Sequence, residues 1–210
     1  MKILFFLLLL LGHISFGQTT IRGITSIKAD VFTSDSVNKS PNTAFNDRIK
    51  LLQIDQSTAN VDIRLYRLHS LSNTKTLRRL FLFDTIWNAV EYVEWNKPVK
   101  IKKYKLKAKS NFDSLFSQLL SYNILTLPNQ TDLKNKMRKV VGVDEEGYEI
   151  IKVLRFTDGE SYTLEIKIGS NFRVYHFSNP DSYSKAYENV SELKDYLSIV
   201  QSFDKLLDRK

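Results

Sequence analysis

The segment SYTLEIKI, residues 161–168, decides the fold class. Tyr162, Leu164, Ile166 and Ile168 alternate with Thr163, Glu165 and Lys167. Successive side chains of a strand point to opposite faces, so the segment reads as a strand with one apolar and one polar face. That pattern predicts an antiparallel sheet buried on one side and wet on the other. The dipeptides Asp158-Gly159 and Gly169-Ser170 on either side adopt positive φ cheaply. They predict two hairpins, one from YEIIKVLRF (148–156) into the segment and one from the segment into FRVYHF (172–177).

The second turn settles the place of His176. A two-residue Gly169-Ser170 turn sets it beside Thr163 on the polar face, whereas a longer loop through Asn171 sets it beside Leu164 in the core. Beyond it, Ser178 and Asp181 have capping-box spacing and Pro180 suits a first helical turn, which predicts a strand-to-helix junction. The aromatics Tyr175, Phe177, Tyr183 and Tyr187 read as the seam between sheet and helix.

Upstream, VDIRLYRLH (61–69), LRRLFLFD (77–84), WNAVEYVEW (87–95) and VKIKKYKLKAK (99–109) are rich in β-branched and aromatic residues. Their short links predict an antiparallel meander, because parallel strands need crossovers of about a dozen residues. AFNDRIKLLQI (44–54) places Phe45, Ile49 and Leu52 on one stripe of a short helix. SNFDSLFSQLLSYNIL (110–125) predicts a helix over about 111–123, opened by a Ser110/Asp113 capping box and ended before Pro128. The polar connection NQTDLKNKMRK (129–139) follows. A last helix, about 190–207, carries the stripe Val190, Leu193, Leu197, Val200, Phe203 and Leu207, with Asn189 and Glu192 as its cap. The expected fold is α+β: antiparallel β-meanders with a mid-chain and a C-terminal helix packed on the sheet. Residues 44–210 are read as one domain with a candidate sub-boundary near 128–140, and the pattern leaves open whether the strand groups form one sheet or two.

The N-terminus has the layout of a secretory signal. Lys2 precedes an apolar run from Ile3 to Leu11, and Ser15 and Gly17 suit cleavage between Gly17 and Gln18. Gly12 and His13 break the run well short of the roughly 20 residues of a spanning helix. Residues 18–43 form a polar segment in which Ile21, Ile24, Ile27 and Val31 suit an edge strand. The chain is basic, with 31 Lys and Arg against 23 Asp and Glu, and contains no cysteine. Disulfides and thiolate chemistry are therefore excluded, and a secreted or periplasmic bacterial protein, soluble after export, is expected.

No stretch carries a nucleophile elbow, a phosphate-binding glycine loop or a zinc-protease motif. No catalytic, cofactor-binding or metal-binding residue is nominated, and no cofactor is expected. His69 and His176 are too far apart in sequence to make a local ligand pair. Asp144-Glu145-Glu146-Gly147 lacks the alternating ligands of a calcium loop and reads as a solvated turn.

Two surfaces carry functional expectations. Lys103, Lys105, Lys107 and Lys109 fall on alternate positions, a row of ammonium groups able to attract an anionic glycan or envelope polymer; nucleic acid is not expected. The same lysines would also blunt an edge strand, and Lys100 and Lys102 join the row only across a bulge near Lys102-Lys103. Trp87, Glu91 and Trp95 share a strand face, an aromatic surface for sugar stacking if exposed, whereas Glu91 and Glu94 face opposite ways and cannot act as a pair. The function expected is a non-catalytic binding or interaction module at the bacterial envelope. The alternative is an envelope hydrolase whose active site is dispersed along the sequence.

Overall fold

The computed structural model describes residues 40–210 except Asn73 and Lys97. The leader and the edge strand expected from Ile21 to Val31 lie outside the described residues. The fold is α+β, built on one seven-stranded antiparallel sheet. Strands β1 (Val61–His69), β2 (Thr74–Phe83), β3 (Ile86–Asn96) and β4 (Val99–Ala108) form the expected meander. After helix α2 (Phe112–Ser121) come a 3₁₀ turn (Gln130–Leu133) and an isolated hairpin of β5 (Lys139–Val143) with β6 (Glu149–Lys152). Strands β7 (Glu160–Ile168) and β8 (Asn171–Ser178) then return to the sheet, β7 pairing antiparallel with β1. Strands from both sides of residues 128–140 thus share one sheet, in the order β8-β7-β1-β2-β3-β4-β9, the last being Leu207–Arg209.

One expected hairpin is corrected here. Residues 148–156 do not pair with 161–168; their first part turns back through Asp144–Gly147 onto β5, a strand the sequence pattern did not reveal. The pairing slips between Val140 and Gly142, so the alternation that would have marked β5 is broken inside a strand of five residues. Asp144-Glu145-Glu146-Gly147 is an exposed turn, closed by Tyr148 N donating to Asp144 Oδ1 at 2.7 Å.

The chain ends in helices α3 (Pro180–Ala186) and α4 (Ser191–Leu206), followed at once by β9 (Leu207–Arg209), which pairs with the end of β4. Pro180 opens α3 as expected. The side-chain caps differ. Asn111, not Ser110, caps α2 by accepting from Ser114 N at 2.6 Å, and Asp113 accepts from the Trp87 indole. At α3, Ser178 N is held by Gln130 Oε1, and at α4 Glu192 pairs with Lys136 instead of a cap.

Each sheet face has its own cover. On the apolar face, Val61, Ile63, Leu65, Leu164 and Ile166 are buried with Phe116 and Leu119 of α2 and Tyr196, Ile199 and Phe203 of α4. Each such side chain contributes about 1.5–3 kcal/mol through removal from water. Tyr175, Phe177 and Tyr187 lie in this core with Tyr183 beside it, which is the expected seam.

The other face is not wet, contrary to the sequence reading. Thr163, Glu165 and Lys167 are buried, as are Asp62, Arg64 and Tyr66 of β1. Part of its cover is the segment entering the sheet: α1 (Thr43–Arg48) and a 3₁₀ turn (Ile54–Gln56). Phe45 packs on Tyr66 and Leu77 with Ile49 partly buried beside them, while the helix ends at Arg48 and leaves Leu52 exposed.

Candidate functional site

On the polar face, where β1, β7 and β8 lie side by side, a groove of about 1030 Å³ opens. Its floor includes Tyr66 and Leu68 of β1, Thr163 of β7 and His176 of β8. Asn42 before α1, Lys134 and Met137 after the second 3₁₀ turn, and the stretch Val153–Phe156 supply further walls.

Local chemistry fixes the floor. The turn at Gly169-Ser170 has two residues, Ile168 facing Asn171 across it, and this register sets His176 opposite Thr163. Thr163 Oγ1 and His176 Nδ1 are 3.2 Å apart, a hydrogen bond that orients the ring. Among the described strands β8 stands at the sheet edge, and two of its outward N–H groups are satisfied by side chains. His176 N donates to Asn129 Oδ1 at 2.9 Å and Ser178 N to Gln130 Oε1 at 2.6 Å. These bonds both close the edge against strand pairing and hold the groove wall in place.

Beneath the groove the Tyr66 hydroxyl donates to Asn46 Oδ1 at 2.9 Å and approaches Glu165 Oε2 at 3.3 Å. Burial pushes the Tyr66 phenol far above its ordinary value, so it stays a neutral donor. Burial also raises the Glu165 carboxyl, against the pull of Arg64. Among the described residues, the Nδ2 groups of Asn42 and Asn46 are buried without a hydrogen-bond partner, and of the two only Asn42 lines the groove.

The described lining is apolar for much of its extent, through Leu68, Met137, Val153, Leu154, Phe156 and Phe177. Its ionisable groups are Lys75, Lys134, Arg155 and His176 with three tyrosines, and it contains no carboxylate. Lys75 is half-buried over the Phe45 ring at 5.5 Å, and burial lowers its pKa against the pull of Glu94. The described lining therefore carries cationic groups and no carboxylate, in an apolar setting.

The surfaces expected from the sequence lie elsewhere. Lys103, Lys105, Lys107 and Lys109 are exposed; the first three point from β4 to the groove's side of the sheet. None of the four lines the groove: β4 lies two strand spacings, about 10 Å, from Lys75 of β2 and four, about 19 Å, from β7. The β3–β4 register is unbroken, so Lys100 and Lys102 stay on the opposite face and no bulge recruits them. Trp87 is partly buried against Phe116, ring centroids 5.3 Å apart, and donates to Asp113 at 2.8 Å. Trp95 is exposed near the other end of the strand, about 27 Å away by strand rise, so the two do not form one aromatic surface. Glu91 and Glu94 do face opposite ways: Glu91 pairs with Arg78 and Arg209, Glu94 with Arg48.

Sequence reasoning passed over Asn42, Tyr66, Lys75, Lys134 and Arg155. The one signal available was the basic run through Lys134 in the polar connection; nothing in the pattern joined it to β1 or β7. No known protein family, curated protein or solved structure matches the chain.

Proposed function

We propose that this is an exported binding protein whose groove holds an amphipathic anion, a ligand with an apolar body and a carboxylate or phosphate head. The observation that carries this reading is the lining: cationic groups and an apolar wall with no described carboxylate, in about 1030 Å³ of space. A positive field in a low-dielectric setting rewards an anion and penalises a cation, while the apolar wall rewards a hydrocarbon chain. Asn42 Nδ2, buried and without a partner among the described residues, supplies a neutral donor for the head group. The apolar leader and the absence of cysteine support export. In this reading Thr163 and His176 are hydrogen-bonding groups of the floor.

Calorimetric titration with dodecanoate, dodecyltrimethylammonium and dodecanol, all below their aggregation limits, tests it. Dodecanoate is expected to bind best, and Lys134→Gln/Arg155→Gln is expected to weaken it about tenfold, roughly 1.4 kcal/mol. Equal affinity for the cationic and anionic chains sinks the proposal.

A further inference from the structure

Among the described residues, the hairpin β5–β6 is the part of the fold that the rest leaves uncovered. Val140, Val141, Val143, Tyr148, Ile150 and Ile151 are each more than two-fifths exposed. Elsewhere in the described chain, exposed large apolar residues are spread among separate elements; here they are contiguous. Contiguous apolar surface of this kind marks an interaction site on a soluble chain. A two-stranded ribbon is also marginal by itself in water, so it gains most of its stability from whatever covers it.

The register says which face is apolar. Val140 pairs with Ile151 and Val143 with Glu149, and the slip at Val141 brings Val140 and Val143 to the same side although they are three residues apart. The opposite side carries Lys139, Gly142, Ile150 and Lys152. Charge is divided along the ribbon. Asp144, Glu145 and Glu146 are exposed at the tip, and Arg138, Lys139 and Lys152 are exposed at the base, Arg138 also pairing with Glu149 at 3.2 Å.

We propose that the apolar face of this hairpin packs on the same face of a second copy of the chain, the two ribbons running in opposite directions about a twofold axis. A twofold contact uses one surface twice, so the surface must complement itself. This one does when antiparallel: the acidic tip of each copy meets the basic base of the other while Val140, Val143 and Ile151 cover their counterparts. A parallel arrangement sets tip against tip and base against base, and is rejected by repulsion. The proposal is independent of the groove's ligand, so either can fail alone.

Sedimentation of the purified chain at about 100 μM, a concentration at which a micromolar dimer is largely formed, with circular dichroism as the check on folding, is the first test. A dimer is expected, and Val140→Glu/Ile151→Glu is expected to leave a folded monomer. Glu145→Lys/Glu146→Lys and Arg138→Glu/Lys139→Glu are each expected to weaken self-association about tenfold, and mixing the two variants to restore a dimer. Because the chain has no cysteine, Glu145→Cys and Lys139→Cys chains can be mixed and oxidised, and the disulfide between unlike chains is expected to predominate. A monomeric parent chain, a dimer indifferent to these changes, or a predominant tip-to-tip disulfide overturns the proposal. The first of these would mean that another partner, or the chain's own N-terminal segment, occupies the face.

Discussion

Arg64 sits at the centre of the polar face with its side chain wholly buried, and its neighbours explain how a charge survives there. Its Nη2 donates to Asp62 Oδ2 at 2.8 Å and its Nη1 to Leu52 O at 2.8 Å, with Glu165 Oε2 at 3.4 Å. Asp62 also accepts two bonds of 2.8 Å from Arg79 and one of 2.6 Å from the Ser57 hydroxyl. Two guanidinium groups and a hydroxyl hold Asp62 below the usual carboxylate range despite burial. Glu165 Oε2 has only long contacts, to Arg64 at 3.4 Å and Tyr66 at 3.3 Å, and burial raises the carboxyl although a hydrogen bond from Ser40 pulls it down.

Removing the shared cation exposes the cost of the arrangement. Arg64→Met is expected to lower stability at pH 7 by about 3–5 kcal/mol in urea denaturation, because Glu165 loses its counter-charge and Leu52 O its donor. A loss below about 1 kcal/mol would show that the network does not hold the entering segment. The carboxylates also predict opposite pH responses. Asp62, lowered, contributes stability above its ordinary 3.8 that is lost as pH falls through its folded value. Glu165, raised, contributes stability below its ordinary 4.5 that is lost as pH rises through its folded value. Glu165→Gln removes that loss, so the melting temperature of the variant relative to the parent is expected to climb between pH 4.5 and pH 8. A difference that stays flat across this range contradicts a raised Glu165.

At the scale of elements, the junction between β7 and α3 shows what local pattern can and cannot convey. Gly159 has φ +135°, and a Cβ there would stand 2.0 Å from Asn179 Oδ1. Asn179 takes the left-handed conformation before α3, accepts from Glu160 N at 3.0 Å and donates to Phe156 O at 3.2 Å. Gly159→Ala is therefore expected to cost about 2 kcal/mol or more, measured by chemical denaturation; a cost of a few tenths would mean the junction relaxes freely. The sequence identified Asp158-Gly159 as a turn but attached it to the wrong hairpin, since positive-φ residues announce a reversal without naming the strand beyond it. The Gly169-Ser170 turn was legible because both flanking strands alternate cleanly, but its length was not, so the face of His176 stayed open between Thr163 and Leu164 until the pairing of β7 with β8 fixed it. Caps were misplaced where two polar candidates stood side by side, as at Ser110 and Asn111. Asp113 was drawn away by Trp87, a partner 26 residues distant that no local rule supplies.

At the scale of the whole molecule, alternation reports which side chains share a face but not what covers that face. Tyr162, Leu164, Ile166 and Ile168 announced one core correctly, whereas Thr163, Glu165 and Lys167 looked like a wet surface because partners such as Arg64 and Ala59 O arrive only when β1 and β7 pair. The groove was invisible for the same reason: its floor comes from strands about 100 residues apart in sequence. Covering both faces has a dynamic consequence. β1 is hydrogen-bonded on both sides and packed above and below, so its amides can exchange only when much of the sheet opens. Hydrogen exchange is therefore expected to be slowest over Val61–Tyr66 and its β7 partners and faster in the exposed first half of β4. In β5 and β6 exchange is expected to be fastest in dilute solution and to slow as concentration rises, because the hairpin gains its cover only by mass action. β1 amides exchanging as fast as those of β4 would show that the polar face is not closed in solution.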